Sequence, residues 1–248
     1  MTRITYVGHS TVLIEMNGAR LLTDPVLRRR IAHLRRRVEV DTAALRGVDA
    51  VLVSHAHYDH LDRRSLELLG RSTLVVVPRG LGGLLRRRGF ERVVEMDVGE
   101  HVSLGELTVE ATHAEHGGDR PFGARAKALG YLITGSHRFY FAGDTELFDG
   151  MTSLAGSLDV AFVPIWGWGS TLGRGGHLDP ERAADALALL RPRIAVPIHW
   201  GTYHPLHLGL RVAPPFMRDP PAQFVQAASL VAPEVDVRVL QPGGTLEL

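Results

Sequence analysis

Residues 55–62, HAHYDHLD, constrain this chain more than any other segment. Three imidazoles and a carboxylate, those of His55, His57, Asp59 and His60, fall within six consecutive positions. Neutral imidazole suits Zn, Fe and Mn ions, and a carboxylate adds a harder, anionic ligand. The segment therefore predicts a metal site.

The flanking sequence predicts where that site lies in the fold. An apolar, β-branched run over residues 48–53 has the pattern of a buried strand, and leucines with helical spacing follow up to Gly70. Because side chains alternate along an extended segment, His55 and His57 can point the same way and hold one ion. Asp59 and His60 come where the chain turns, so they can face a second ion. We therefore expect two metals.

The pattern H-x-H-x-D-H after a strand resembles the signature of the metallo-β-lactamase-fold hydrolases. The resemblance continues, in the family's order, in EATHAEH at 110–116, FYFAGDT at 139–145 and VPIHWGT at 196–202. It implies His116 as the third ligand of the first metal, Asp144 as the carboxylate that bridges the pair, and His199 as a ligand of the second metal. The cofactors it implies are two divalent ions, zinc first, with manganese or iron as alternatives.

The third-ligand segment departs from the family pattern, because His113 stands where proline is usual. Two histidines therefore compete for one position. The family's ligand follows the threonine by four residues, which favours His116 over His113. His113 is then expected to neighbour or support the site.

Three further segments resemble one branch of the family, which contains N-acylphosphatidylethanolamine-hydrolysing phospholipase D and ascorbate-6-phosphate lactonase. They are YVGHSTVLIE at 6–15, LLTDPVL at 21–27 and GHLDPERAA at 176–184. The resemblance implies a small-molecule or lipid-derived anionic substrate, either a phosphodiester or a phosphorylated lactone. It also implies that His177 protonates the leaving group or hydrogen-bonds the developing charge.

Composition is typical of one soluble enzyme domain over residues 1–248. With 45% hydrophobic residues the chain can bury a large core, and it has no run of about 18 apolar residues and no signal-peptide core, so we expect a cytoplasmic protein without a membrane span. The absence of cysteine excludes disulfides and cysteine zinc sites. A formal net charge of +1 argues against a general nucleic-acid binder. Whether the chain forms a homo-oligomer stays open.

The hydrophobic pattern predicts a series of strands in two halves of the chain. They cover 3–16, 19–23, 49–54, 73–77, 92–96, 106–112, 129–134, 138–142, 159–163, 194–198 and 236–240. Asn17-Gly18 suits a type I′ turn, and Asp179 can cap a helix over 180–190. We expect an α/β protein, a four-layer αβ/βα sandwich of two mixed sheets flanked by helices, which is the metallo-β-lactamase fold, with the metals at one open edge.

Two metal ions about 3.5–4 Å apart can share one water and lower its pKa to about 7. A bridging hydroxide is therefore the expected nucleophile. Asp59 is expected to serve in catalysis as well as in metal binding, because with Asp144 it offsets the metal charge. His9 and Asp24 lie at the ends of the first hairpin strands, and we expect them to orient ligand imidazoles.

Three other segments allow two interpretations each. Trp166 and Trp168 lie in a glycine-rich segment, so they either bind substrate or simply pack. The proline-rich residues 203–221 form either a lid or an ordered surface loop. Six arginines within residues 28–37 form either a solvated basic surface or a contact for an anionic partner.

The sequence leaves few competing functions open. A non-catalytic metal-binding protein of the same fold and a nuclease both stay open, although no inserted nucleic-acid-binding module is visible. The lack of cysteine argues against the commonest metallo-β-lactamases, which use a cysteine ligand. A flavodiiron oxidoreductase is expected to carry glutamate in the first motif and an attached flavin domain, and this sequence shows neither.

Overall fold

The computed structural model describes residues 1–117, 125–166, 176–206 and 214–248. Its strands are β1 (Arg3–Gly8), β2 (Thr11–Met16), β3 (Ala19–Thr23), β4 (Arg30–Ile31), β5 (Leu34–Arg36), β6 (Ala50–Leu52), β7 (Leu74–Pro78), β8 (Val93–Met96), β9 (His101–Leu104), β10 (Leu107–His113), β11 (Leu129–Thr134), β12 (Arg138–Phe141), β13 (Val160–Pro164), β14 (Ile194–Ile198), β15 (Tyr203–Pro205), β16 (Asp236–Val237) and β17 (Thr245–Glu247). Its helices are α1 (Arg63–Leu69), α2 (Gly82–Arg86), α3 (Met151–Leu154), α4 (Pro180–Leu190), α5 (Pro215–Arg218) and α6 (Pro220–Val231).

Most strands belong to two mixed sheets. The first sheet has the order β17-β1-β2-β3-β6-β7-β8, and the second has the order β16-β14-β13-β12-β11-β10-β9. In each sheet one half is antiparallel, while the strands from β3 to β8 and from β12 to β16 are parallel. The parallel strands β6, β7, β13 and β14 are buried along their whole length, as expected where both faces of a sheet are covered.

The two sheets pack face to face over one hydrophobic cluster. Tyr6 of the first sheet and Tyr131 of the second both belong to this cluster, together with Leu187 of α4. On the outer face of the first sheet, Leu66 of α1 packs with Val51 in a second cluster. Helices therefore cover the outside of the paired sheets, and the predicted four-layer αβ/βα sandwich is confirmed.

The two predicted helices after the octapeptide and after Asp179 are both present, and each is capped at its start by an aspartate. The Asp62 carboxylate accepts a hydrogen bond from Ser65 N–H at the start of α1, and the helix ends before Gly70. The Asp179 carboxylate accepts from Arg182 N–H at the start of α4. Such caps satisfy backbone N–H groups that have no partner within the helix. Asn17 and Gly18 both have positive φ, as a type I′ turn requires.

The prediction of one continuous strand over residues 3–16 is wrong, because the chain breaks at His9 and Ser10 into β1 and β2. His9 has a φ of 58°, in the left-handed region. Its N–H donates to Thr202 Oγ1 at 2.7 Å, and its carbonyl accepts from His199 N–H at 2.8 Å. The backbone of His9 thus bonds to the loop after β14 and not to a neighbouring strand of its own sheet.

Several short strands were not predicted. The third sheet, β15-β5-β4, is built from segments of only two or three residues, which are too short to show a clear alternation. The strands β9 and β17 were also missed, and the predicted strand 236–240 ends at Val237. Among the helices of the described ranges, none is both long and apolar enough to cross a bilayer.

Candidate metal centre

Strand ends bring the predicted ligands to one edge of the sandwich. His116, Asp144 and His199 follow β10, β12 and β14 by one to three residues. These three strands run in the same direction through the second sheet. His55 follows β6 of the first sheet by three residues. Because the carboxyl ends of aligned strands meet at one edge, side chains that are far apart in sequence come together there.

His55, His57 and His116 form the first group of side chains that could hold a metal ion. His57 Nδ1 lies 2.9 Å from His55 Nε2 and 3.2 Å from His116 Nε2. Zinc–nitrogen bonds of about 2.0–2.1 Å in a tetrahedron set ligand atoms roughly 3.3–3.4 Å apart. The spacing of these nitrogens is close to that expected around one ion.

Hydrogen bonds on the far side of two of these rings fix their tautomers. His116 Nδ1 lies 2.5 Å from the Gly176 carbonyl oxygen, which can only accept, so Nδ1 carries the proton. His55 Nδ1 lies 2.9 Å from Ser54 Oγ, whose own hydrogen is donated to Asp24. Both rings therefore present an unprotonated Nε2 to the cluster, which is the form that binds a metal.

His60, His199, Asp59 and His9 form the second group. His60 Nε2 and His199 Nε2 lie 3.9 and 3.8 Å from Asp59 Oδ2. His9 Nε2 lies closer to the same oxygen, at 3.1 Å. The Trp166 carbonyl accepts a hydrogen bond from His199 Nδ1 at 2.7 Å, so Nε2 of His199 is the unprotonated nitrogen that faces the carboxylates.

Asp144 lies between the two groups. Its Oδ2 is 3.1 Å from His60 Nε2 and 3.4 Å from His199 Nε2 in the second group, and 3.9 Å from His55 Nε2 in the first. His177 Nδ1 lies 3.3 Å from the same oxygen. Asp144 is 1% exposed, and its Oδ1 makes no hydrogen bond to any described residue. A carboxylate in this position can contact ions in both groups.

Asp24 is buried behind the ligands. Its Oδ1 accepts a hydrogen bond from Ser54 N–H at 2.7 Å, and its Oδ2 accepts from Ser54 Oγ at 2.6 Å and from His60 Nδ1 at 2.7 Å. Through these contacts Asp24 orients the His60 ring directly and the His55 ring by way of Ser54. Ser54 was not predicted, since one serine before the octapeptide carries no signal of its own.

Three residues at this edge have a left-handed backbone although none is glycine. They are His9, Asp24 and His199, with φ angles of 58°, 33° and 62°. This region costs an L-amino acid roughly 1–2 kcal/mol. Each of the three ends or follows a strand, and the sharp turn there directs its side chain into the cluster.

Burial keeps the first group in its neutral form. It lowers the pKa of His55 well below the usual value, lowers that of His57, and lowers that of His116 to about 4. Neighbouring imidazoles add to this effect, although the Asp144 carboxylate opposes it in all three. Neutral imidazoles are required for metal binding, so protons compete weakly for these nitrogens at neutral pH.

The carboxylates give the second group a negative potential. Burial alone would raise the pKa of Asp144, but His199 and His60 hold it well below the usual range. Burial alone would lower the pKa of His60, but Asp144 and Asp24 raise it well above the usual value. His60 Nε2 is buried and makes no hydrogen bond within the described residues. A potential that holds a proton on His60 also favours a metal cation at the same nitrogen, so the residues present fit a metal.

The structure places His116 inside the cluster and His113 outside it. The His113 side chain is 51% exposed, and its Nε2 lies 3.1 Å from a Glu115 oxygen. Its ring meets Phe148 edge-on, with centroids 4.9 Å apart. Among the described residues, neither His113 nor these two partners belongs to a group that could hold a metal ion.

The predicted substrate residues occupy different surroundings. Trp166 is buried, 4% exposed, and its indole stacks on Phe216 with centroids 6.4 Å apart. It touches the site through its backbone carbonyl, which orients His199. Trp168 lies outside the described residues. In the proline-rich segment, β15 and the start of α6 are ordered elements, and residues 207–213 lie outside the described ranges.

A domain model described as the β-lactamase superfamily domain matches residues 19–200. The UPF0173 metal-dependent hydrolase of Deinococcus radiodurans is 33% identical over 253 aligned residues that cover 100% of both chains. Among solved structures, the chain is similar to Igni18, a metallo hydrolase from the archaeon Ignicoccus hospitalis. That structure has a TM-score of 0.74 and 26% identity, with 100% of this chain and 99% of the other covered.

The chain is also similar to CmlA, a diiron β-hydroxylase from Streptomyces venezuelae, with a TM-score of 0.73 and 25% identity. The alignment covers 100% of this chain and 54% of CmlA. The two-sheet fold with a cluster of histidines and aspartates at its edge defines a metal-dependent hydrolase class. The chain belongs to the β-lactamase superfamily and, within it, to the UPF0173 metal-dependent hydrolase family.

Proposed function

We propose that this chain is a hydrolase that works with two divalent metal ions, zinc first. His55, His57 and His116 would hold one ion, and His60, His199 and Asp59 the other. The observation that carries the proposal is the position of Asp144, whose Oδ2 is within 3.9 Å of imidazole nitrogens from both groups. One buried carboxylate shared in this way fits a pair of ions better than a single ion.

When bound, two such ions lower the pKa of a shared water and polarise the bond under attack. The chain's own residues would supply orientation and charge balance. Asp24 fixes the ring of His60, and the carbonyls of Gly176 and Trp166 fix those of His116 and His199. Fixed rings keep their unprotonated nitrogens directed at the ions through the reaction.

His177 is the proton donor in this proposal. Its side chain is 15% exposed, so it can reach both substrate and the cluster. Burial alone would lower its pKa, but Asp144 raises it above the usual value. Its Nδ1 lies 3.3 Å from Asp144 Oδ2, which leaves Nε2 available to protonate a leaving oxygen. Asp59, 17% exposed, also faces this side of the cluster.

For the substrate we propose a phosphodiester or a phosphorylated lactone. The support comes from the sequence. Residues 6–15 and 176–184 resemble the branch that contains N-acylphosphatidylethanolamine-hydrolysing phospholipase D and ascorbate-6-phosphate lactonase. The accessible side of the cluster offers His57 and Asp59 next to the exposed ring of Tyr58, which is 51% exposed. An open side with reachable ligands favours catalysis over metal storage.

The test is hydrolysis by protein whose metal content is controlled. Metal-depleted protein is reconstituted with zinc, manganese or ferrous iron and assayed on bis(p-nitrophenyl) phosphate, on lactones with and without a phosphate, and on anilides. We expect close to two ions per chain and turnover of a phosphate-bearing substrate. Failure to bind a second ion would remove the two-metal proposal, and two bound ions without turnover of any substrate would favour the non-catalytic alternative.

A further inference from the structure

A pocket of about 500 Å³ lies beside the three-stranded sheet, outside the metal-binding groups. We call it the basic pocket. Its polar wall is formed by four arginines and one glutamate, which are Arg29, Arg35, Arg36, Arg37 and Glu39. Four cations against one anion in a single concave surface give the basic pocket a strong positive potential.

The arginines of residues 28–37 have different partners, and this decides which are available. Arg28 forms two hydrogen bonds of 2.8 Å with the Asp62 carboxylate, so its charge is neutralised. Within the described ranges, no ion pair is formed by Arg29, Arg35 or Arg37. Arg29 and Arg37 are exposed, and Arg35 is half-buried.

Arg36 adds a buried charge to the wall. It is 6% exposed and donates to the backbone carbonyls of Val7, Val26 and Val38 at 2.5, 2.9 and 2.9 Å. These carbonyls accept from its Nε, Nη1 and Nη2 atoms, but no carboxylate of the described residues neutralises its charge. A buried cation is costly without a counter-charge, so an anion in the adjacent pocket would stabilise it.

We propose that the basic pocket is a binding site for a phosphate group on a small ligand or a lipid headgroup. Guanidinium groups bind phosphate oxygens in pairs through parallel hydrogen bonds, which arginines without a carboxylate partner can supply. Leu27, Val38 and Val40 line the rest of the pocket. Their side chains offer an apolar surface for the carbon skeleton that carries the phosphate.

Aromatic packing separates this pocket from the metal ligands. The Arg36 guanidinium lies over the Tyr203 ring, 5.4 Å from its centroid, and the Tyr203 ring meets His9 edge-on at 5.5 Å. His9 in turn contacts Asp59. The basic pocket is therefore a neighbour of the metal centre with its own lining. Phosphate binding there does not depend on the proposed reaction and can be measured without turnover.

The experiment compares two double variants that lose the same charge. R29Q/R37Q removes two exposed arginines of the basic pocket, and R87Q/R88Q removes two exposed arginines after α2. Calorimetric titration of metal-loaded protein with inorganic phosphate and with glycerol 3-phosphate, near physiological salt, gives the affinities. Co-sedimentation with phosphatidylcholine vesicles, with and without phosphatidylglycerol, tests the headgroup. Metal content is measured in every protein.

We expect R29Q/R37Q to weaken binding about tenfold with unchanged metal content, because each lost charge-assisted contact contributes measurably to affinity. The control R87Q/R88Q should bind like the parent. Weakened binding of the soluble phosphates alone identifies a free phosphorylated ligand, and weakened vesicle binding alone identifies a headgroup. Equal losses in both variants, an unaffected R29Q/R37Q, or no binding by the parent would each overturn the proposal.

Discussion

Replacing Asp24 by asparagine tests the buried support of the metal centre. Three donors converge on this carboxylate, namely Ser54 N–H, Ser54 Oγ–H and His60 Nδ1–H, at 2.6–2.7 Å. If the new amide oxygen keeps the bond to Ser54 N–H, the amide nitrogen faces the other two donors. The His60 ring can then form a hydrogen bond only by moving its proton to Nε2. That nitrogen would no longer offer a lone pair to a metal.

The size of the effect follows from these contacts. A hydrogen bond to a charged group contributes about 1.5–3 kcal/mol, so disrupting two should lower the free energy of unfolding by about 3 kcal/mol or more. Loss of a partner behind a metal ligand typically lowers metal affinity about 10–100-fold. We expect the second group, which contains His60, to lose more affinity than the first.

Urea denaturation and competition with a chromophoric chelator measure the two effects of D24N. The matched control is D49N, because Asp49 is an exposed carboxylate that accepts one hydrogen bond, from Arg20 N–H at 2.8 Å. We expect the control to change the free energy of unfolding by less than about 1 kcal/mol. Parent-like stability together with parent-like affinity for both ions in D24N would refute the supporting role of Asp24.

Three further predictions concern single side chains. His116→Ala should remove one metal ion, whereas His113→Ala should keep both, because the exposed His113 ring contacts Glu115 outside the cluster; metal analysis giving the opposite pattern would reassign the ligand. Asp144→Asn should lower turnover about 100-fold or more, since a buried carboxylate shared by both groups is lost, and near-parent initial rates would exclude the bridging role. Arg36→Met should lower the free energy of unfolding by about 3 kcal/mol, because three backbone carbonyls lose their donor; an unchanged urea midpoint would contradict this.

Much of this fold and site is legible in the sequence because the informative residues are local. The octapeptide sits between an apolar run and a capped helix, so His55 and its neighbours are placed on a turn before any long-range contact is known. Asp144 and His199 follow apolar runs in the same way, and the resemblance to the superfamily is what assigns them to the same site as the octapeptide. Among the described residues, the groups of side chains that could hold a metal ion contain all seven predicted ligands.

The rest depends on contacts between distant segments. The sequence GHST at residues 8–11 does not by itself place a strand break at His9, because bonds to His199 and Thr202, nearly two hundred residues later, set it. In the arginine cluster at residues 28–37, the sequence likewise does not show which side chains are buried. The cluster's members look alike in sequence, yet Arg36, the last residue of β5, is buried while Arg37 beside it is exposed. Only the pairing of β5 with β15 assigns those faces.

The left-handed turns at His9, Asp24 and His199 lower the stability of the fold, but their side chains are needed at the candidate metal centre. Glycine adopts such a backbone without the steric cost, so replacing these residues with glycine would relieve backbone strain while deleting the side chains that define the metal centre. A library of variants selected for thermostability alone should therefore drift toward glycine at His9 and His199 and lose metal, whereas Asp24 should be kept because its three hydrogen bonds outweigh the strain. Selection that includes metal retention should keep the strained residues, and stabilising changes would then accumulate elsewhere in the sandwich.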